Sequence, residues 1–371
     1  MNEKKRMTTP IATALVRGLS AHEDLARQAV ASAMQRAQLT HANSVLLFLT
    51  PEFARDPQPA LRAASKAADC MQVIGCSAAG IFTEEDWVLD APAAAAMVFG
   101  GEVALAPAHE VEADTLIFSL AAPNALNSAW IKTPGIRFGG VSGDATGQGP
   151  FKVWSGGKVS AQGRCESLIH GAHGQIGVSQ GIRALSAPLQ ITQVSGHDVI
   201  TLSSQPALNH LARELPLELR EQDHPPLHLL LAGVIFGDPE HAITEGRYRL
   251  SPIIATNADD RSVTLASRLM PGDQLFWALR QPLAAERDMR KTLERMGQAQ
   301  TTAPDFGLFF PCMGRGPYFY GGVDRDLDLI AGRYPGMPLI GFYGNGEIGP
   351  LAQENEIFQY SAVLGLFNVD V

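Results

Sequence analysis

VIGCSAAGI occupies residues 73–81 and is the stretch from which the fold class can be argued. The apolar residues 71–74 read as a buried strand, and the small residues that follow let the backbone approach another chain segment closely. Two earlier apolar segments, residues 11–16 and 44–50, also read as strands, and helical spacing follows each of them. This β–α–β–α–β opening predicts a mixed α/β layer.

Local signals place two of the helices. Ser20 and Glu23 have the spacing of a capping box, which predicts a helix that runs to about Leu39. Residues 282–296 give the clearest helical period, Glu286 and Arg290 pair at i,i+4, and Gly297 stands where a C-cap glycine is expected.

The middle of the chain reads differently. Residues 103–201 alternate short strands with loops, and residues 248–256 and 263–270 flank a turn that predicts a hairpin. No periodic repeat is visible. We therefore predict a mixed α/β (α+β) protein of two layered domains, whose largely antiparallel sheets are covered by helices. The polar, proline-containing residues 220–226 suggest the boundary, which gives domains 10–220 and 221–371.

Composition excludes several classes of function. The chain has 371 residues, 46% of them hydrophobic and 18% charged, with a net charge of -9, so a large core is expected and a nucleic-acid partner is not. No apolar run is long enough to span a membrane. The four cysteines form neither a disulfide pattern nor a zinc pattern, which favours a cytoplasmic protein without metal or cofactor.

Two glycine-rich segments could line a site. In residues 75–80, Cys76 and Ser77 end a strand, and the alternative to a functional role is a tight turn with an inert thiol. In residues 139–144, Ser142 and Asp144 could face a cleft, although the segment lacks the lysine of a P-loop. A plain glycine turn is the alternative there.

Two later segments carry stronger chemistry. Arg315 lies between two glycines after Cys312, so its guanidinium could clamp a carboxylate or phosphate, or could tie loops together. Residues 341–350 combine four glycines with Tyr343, Asn345 and Glu347, and this loop could bind an amino group or be a rigid turn. We predict that these loops and the two earlier ones converge on one ligand pocket.

Signatures of enzymes are largely missing. The chain has no GxSxG elbow, HExxH motif or P-loop. His170 and His173 have no further ligands near them and read as surface residues rather than as a metal pair. A thiol-dependent enzyme that uses Cys76 or Cys312 is the alternative function, and a structural adaptor without a ligand is a third possibility.

Five segments together resemble a known family. VIGCSAAGI at 73–81, GVSQGIRAL at 177–185 and the stretch 191–208 resemble the N-terminal FIST domain, and LFFPCMGRG at 308–316 and LIGFYGNGEIGP at 339–350 resemble the C-terminal FIST domain. This resemblance, which covers about residues 12–365, implies a sensory module that binds small ligands such as amino acids or their derivatives. In bacteria such domains occur alone or joined to signalling output domains, and in eukaryotes with F-box proteins.

The resemblance implies a bacterial-type cytoplasmic sensor in signal transduction. No output domain is recognisable in the sequence, so we expect a separate signalling output protein as partner, besides the small-molecule ligand. The family brings no catalytic residues with it, and we expect no catalytic activity.

Overall fold

The computed structural model describes residues 10–109, 111–222, 226–299, 302–352 and 354–370. Its sheets combine parallel and antiparallel strand pairs and are accompanied by helices, which confirms the predicted mixed α/β class. No helix in these ranges has the length and apolar character that crossing a bilayer requires.

The helices and strands follow one another along the chain in a fixed order. The first part contains β1 (Ile11–Arg17), α1 (Glu23–Ala37), β2 (Ser44–Leu49), α2 (Gln58–Ala68), β3 (Val73–Ser77), β4 (Gly80–Thr83), β5 (Trp87–Val88), β6 (Ala93–Phe99), β7 (Ala104–Pro107), β8 (Leu116–Ala121), α3 (Ser128–Ile131), β9 (Ile136–Val141), β10 (Val153–Ser155), β11 (Lys158–Val159), β12 (Arg164–His170) and β13 (Ala172–Ser179).

The rest of the chain continues the series. It contains β14 (Ile182–Ala184), β15 (Leu189–Ser195), β16 (Asp198–Leu202), β17 (Gln205–Pro206), α4 (Ala207–Glu214), α5 (Leu217–Arg220), β18 (Leu230–Ile235), α6 (Ala242–Glu245), β19 (Tyr248–Asn257), β20 (Ser262–Leu265), β21 (Gln274–Arg280), α7 (Pro282–Ala299), β22 (Phe306–Pro311), α8 (Arg325–Arg333), β23 (Leu339–Tyr343), β24 (Glu347–Leu351), β25 (Glu354–Phe358) and β26 (Ala362–Val369).

Two compact units can be distinguished. The described residues up to Ser179 form the first unit together with those from Arg290 onward, and residues 180–289 form the second. The predicted division into 10–220 and 221–371 is a division along the sequence and stays a prediction. Residues 223–225 of the expected boundary lie outside the described residues.

The first unit is a threefold repeat of one topology. Its three six-stranded sheets have the orders β1-β6-β2-β3-β10-β11, β7-β12-β8-β9-β24-β25 and β13-β26-β22-β23-β4-β5. Each sheet has a single parallel pair at its centre, namely β2–β3, β8–β9 and β22–β23, and its other pairs are antiparallel. In the third repeat the second unit is inserted after β13.

The three repeats exchange hairpins. Each sheet takes four strands from one repeat and its last two strands from the next: β10–β11 complete the first sheet, β24–β25 the second and β4–β5 the third. This cyclic exchange ties distant parts of the sequence into one body, because each sheet is completed only by strands of another repeat.

One hydrophobic core joins the three sheets of the first unit. Phe48 of the first sheet, Phe118 of the second and Phe310 and Phe342 of the third lie together, with ring centroids 4.9 Å apart for Phe48 and Phe342 and 5.7 Å for Phe118 and Phe310. Such aromatic pairs add to the apolar surface that folding buries. A second core lies beneath α1 and α2, where alanines allow both helices to pack closely on the first sheet.

The second unit is an antiparallel ring of strands. The order β21-β15-β16-β20-β19-β18 closes because β18 pairs again with β21, and β14 and β17 are added to this ring. The predicted hairpin is present as β19–β20. The core of this unit includes Trp277, Leu202 and Val263.

Two predicted caps and the absence of a repeat are corrected. His22, not Ser20, caps α1, because its Nδ1 accepts a hydrogen bond from the Asp24 amide at 3.2 Å. Gly297 lies inside α7 rather than at its end; there a Cβ would lie 3.0 Å from the Arg333 side chain, so the glycine allows close packing. The repeat is one of strand order, which depends on pairings between segments far apart in the sequence.

Candidate functional site

Each of the three parallel strand pairs contains a glycine at an equivalent position. Gly75, Gly139 and Gly341 lie on the second strand of each parallel pair, opposite Leu47, Ser119 and Phe309. A Cβ at these glycines would lie 1.8, 2.0 and 1.7 Å from the carbonyl oxygens of those three partners. No side chain fits there, so the sequence requires glycine at all three places.

The chain leaves each parallel pair in the same way. The amides of Ala78, Ser142 and Gly344 donate to the last carbonyl of the neighbouring strand, at Leu49, Ala121 and Pro311, over 2.9, 2.8 and 3.0 Å. The loops predicted as site segments therefore start at equivalent points of the three repeats.

These loops contact one another. The Ser142 hydroxyl donates to the Ser77 carbonyl at 2.6 Å, and the two hydroxyl oxygens are 3.3 Å apart. The backbone amide of Asn345 donates to the Val141 carbonyl at 3.0 Å, and Tyr343 of β23 lies opposite Gly80 of β4 in the sheet. Ser77, Ser142, Tyr343 and Asn345 thus lie at one junction of the three sheets.

Glu347 is a fully buried carboxyl at the start of β24. Its Oε2 accepts hydrogen bonds from the Ser361 amide at 3.1 Å and the Ser361 hydroxyl at 2.5 Å, while Oε1 has no nitrogen or oxygen donor among the described residues. Burial raises the pKa of Glu347 to about 8, although Ser361, the Cys312 thiol and the Arg315 charge oppose this shift. The carboxyl is therefore mostly neutral at pH 7.

Arg315 is engaged inside the protein. Its side chain is 2% exposed, and its Nε donates to Asp326 Oδ2 at 2.8 Å. The other guanidinium nitrogens donate to the Ser179 carbonyl at 2.7 Å and the Ser179 hydroxyl at 2.8 Å. Arg315 thus ties the loop after β22 to the end of β13, and its role as an anion clamp stays a prediction.

Tyr343 belongs to the same buried network. Its hydroxyl donates to Asp324 Oδ2, and the other oxygen of Asp324 caps α8 by accepting from the Leu327 amide at 3.0 Å. Burial and the nearby charge of Asp326 raise the pKa of Asp324 to about 7. Sequence reasoning missed Asp324 and Asp326, although Asp324 stands at an N-cap position that helix patterns can reveal.

A cavity of about 360 Å³ adjoins this network. It lies between the β4–β5 hairpin and α8, and Asp324 forms part of its wall. The other wall residues include Glu84, Asp328 and the aromatic ring of Trp87, and none of them is a lysine or arginine. Burial raises the pKa of Glu84. The cavity is thus suited to a cationic group.

Two of the predicted site residues either pack in the core or bond within their own loop. Cys76 is fully buried in the core of the first unit, and burial raises the pKa of its thiol well above the usual value. Asp144 accepts hydrogen bonds from the Thr146 amide at 3.0 Å and the Gly149 amide at 2.8 Å, so it shapes its own loop. Cys312 lies beside Glu347 and is 7% exposed.

The described part of the chain contains no candidate metal site. No group of three or more His, Cys, Asp or Glu side chains there could hold a metal ion. His173 is exposed and contacts Asp370 at 2.7 Å.

Comparison with known proteins gives matches along most of the chain. A family model of the FIST N domain matches residues 43–205, and one of the FIST C domain matches residues 204–350. An uncharacterised protein of Mycobacterium tuberculosis is 27% identical over 230 residues, which is 62% of this chain and 60% of the relative. One of Mycobacterium bovis is 27% identical over 234 residues, 63% of this chain and 60% of the relative. The matches thus span less than two thirds of these relatives.

Proposed function

The chain belongs to the FIST family, whose domains are sensory domains of signal transduction, and we propose that it is a cytoplasmic sensor of a small amine-bearing metabolite such as an amino acid. The proposed ligand site is the acidic cavity together with the polar cluster behind it. The proposed partners are this ligand and a separate signalling output protein.

One observation carries the proposal. Tyr343, which the sequence marks as a site residue, bonds to Asp324, and Asp324 forms a wall of the acidic cavity. A ligand ammonium in the cavity would therefore meet a carboxyl that is linked through Tyr343 to the junction of the three sheets. Asp324, with a pKa of about 7, would ionise fully beside such a cation.

The ligand class follows from the charges around the cavity. Glu85 and Asp86 of its wall pair with Arg36 and Arg17, whereas Asp328 forms no ion pair within the described ranges. A cation near Asp328 and Asp324 is favoured electrostatically, and the Trp87 ring offers a cation–π contact. The volume of about 360 Å³ is in the range of small-molecule sites.

The thiol-dependent enzyme receives less support. A nucleophilic cysteine needs a lowered thiol pKa, but burial raises the pKa of the Cys76 thiol. Cys312 is 7% exposed, and only a minor fraction of the neighbouring Glu347 carboxyl is ionised at pH 7 and able to accept the thiol proton.

A thermal-shift screen tests the proposal. Amino acids, their amides and simple amines are added to the full chain, and a ligand that binds only the native state raises the melting temperature. We expect amines to raise it and their N-acetylated counterparts to have no effect. No shift across the panel, or equal shifts with acetylated compounds, would contradict the proposal and favour an adaptor without a ligand.

A further inference from the structure

The hairpin exchange creates three equivalent grooves in the first unit. In each repeat a helix connects the two parallel strands, and the hairpin received from the next repeat lies at the edge of the same sheet. The helix and hairpin pairs are α2 with β10–β11, α3 with β24–β25 and α8 with β4–β5. The acidic cavity described above is the groove of the last pair.

The groove at α3 is filled. Trp130 and Ile131 of α3 pack with Ile348 of β24 and Ile357 of β25 in a small apolar cluster. The Asn355 amide donates to the carbonyls of Ile131 at 3.2 Å and Gly135 at 2.8 Å, which fastens the hairpin to this region. The same arrangement of backbone can therefore be closed by side chains, and the other two grooves are open by contrast.

The groove at α2 is open and carries the opposite charge to the acidic cavity. Its volume is about 530 Å³, and its walls carry Arg62 and Lys66 of α2 and Lys158 of β11. None of these three exposed cations forms an ion pair with a described carboxylate, although Asp69 also lines the groove. The three cations thus outnumber the single carboxylate of the groove, on a chain whose net charge is -9.

The Ser65 hydroxyl adds a directional group to these charges. Ser65 of α2 lines the groove and is 9% exposed, and its hydroxyl has no hydrogen-bond partner among the described residues. It lies beside Gly157, where a Cβ would be 3.1 Å from the Ser65 oxygen. With no partner inside the described protein, this hydroxyl can donate to or accept from a ligand in the groove.

We propose that the groove between α2 and the β10–β11 hairpin binds a small soluble phosphate compound, at a site separate from the amine site. Phosphate oxygens accept hydrogen bonds from arginine, lysine and hydroxyl groups, and these charge-assisted bonds are the stronger kind. Three cations and one hydroxyl suit a ligand with a diphosphate group better than a ligand with a single carboxylate group. The equivalent position of the two open grooves gives the protein two sites of opposite charge on one scaffold.

Isothermal titration with inorganic pyrophosphate tests this proposal. The full chain is expected to bind pyrophosphate more weakly as salt rises, because the contacts are largely electrostatic. The double variant Arg62→Ala/Lys66→Ala is expected to bind at least about tenfold more weakly, and Ser65→Ala roughly tenfold, as expected for hydrogen bonds to a charged group.

A charge-matched control separates the groove from general attraction. The variant Lys132→Ala/Lys291→Ala also removes two exposed cations, but neither lines the groove, so its affinity should stay close to that of the unaltered chain. Equal losses in both double variants, or no pyrophosphate binding at all, would overturn the proposal. So would binding to vesicles containing phosphatidic acid without binding to pyrophosphate, since the proposed ligand is soluble. Amine binding in the thermal-shift screen should survive Arg62→Ala/Lys66→Ala, which keeps the two sites distinguishable.

Discussion

Tyr343 donates its hydroxyl hydrogen to the Asp324 carboxyl, and both side chains are buried. This bond joins the end of the central strand β23 to the N-cap of α8, and Asp324 also lines the acidic cavity. The pair is therefore the place where a ligand in the cavity can act on the framework of the first unit.

Removal of the Tyr343 hydroxyl is expected to destabilise the protein. Tyr343→Phe leaves Asp324 Oδ2 without this donor, and loss of a partner in a buried pair costs about 1–3 kcal/mol. Urea denaturation measures the change. Tyr318→Phe is the control, because that hydroxyl also donates to an aspartate, Asp90, but its side chain is 69% exposed. We expect the control to stay within about 0.5 kcal/mol of the unaltered protein, and equal losses in both variants would contradict the assignment.

Stability should fall as pH rises from about 5 to about 8. Folding raises the pKa of Asp324 from 3.8 to about 7 and that of Glu347 from 4.5 to about 8. In this window the folded chain holds protons that the unfolded chain has lost, so each rise in pH favours unfolding. Each group contributes up to about 1.4 kcal/mol per pH unit to the slope.

The variant Glu347→Gln measures how much Glu347 contributes to the dependence of the free energy of unfolding on pH. The amide replaces a neutral carboxyl of similar size and does not titrate, so the free energy of unfolding should fall less steeply with pH in this variant. Denaturation curves at several pH values between 5 and 8 give the two slopes. An unchanged slope would mean that Glu347 is already ionised in the folded protein at neutral pH.

The three equivalent glycines should not tolerate a side chain. Gly75→Ala places a Cβ 1.8 Å from the Leu47 carbonyl oxygen, and backbone atoms on both sides must move. We expect a loss of about 3 kcal/mol or more, or no soluble protein. Gly332→Ala in α8 meets no atom within 4 Å and should stabilise the protein by about 0.5–1 kcal/mol. A mild effect of Gly75→Ala in thermal unfolding would be incompatible with the close approach of β2 and β3.

Thiol labelling should distinguish Cys70 from the other cysteines. Cys70 is partly exposed, whereas Cys76, Cys165 and Cys312 are buried, and burial raises the pKa of the Cys76 and Cys165 thiols. In the native protein we expect one fast reaction with a disulfide reagent, which Cys70→Ser removes, and four reactions in urea. Fast labelling of Cys76 or Cys312 in the native state would revive the thiol-enzyme alternative.

Local sequence patterns predicted much of the scaffold. The helical period over residues 282–296 and the turn between β19 and β20 depend on neighbours in the chain, and both elements are present. The ends of helices were less predictable, because the cap of α1 depends on where the chain turns and not only on the spacing of Ser20 and Glu23.

The hairpin exchange could not be predicted, because it depends on contacts between distant segments. The partner of β23 is β4, more than 250 residues earlier, and nothing within either segment specifies that pairing. Ser77, Ser142, Tyr343 and Asn345 lie close together at the ends of glycine-containing strands or shortly after them, and their shared role in ligand binding stays a prediction. Cys76 was predicted to line the ligand site together with Ser77. Alternate residues of a strand face opposite sides, however, and the Cys76 side chain faces the core.

Calorimetric titration of the strongest amine from the screen tests the sensor proposal most directly. The unaltered chain, Asp328→Asn and Asp370→Asn are compared, since Asp328 lines the cavity and Asp370 does not. We predict that Asp328→Asn weakens amine binding by about tenfold and that Asp370→Asn leaves the affinity unchanged. Equal affinity for all three proteins would contradict the claim that the acidic cavity holds the ligand.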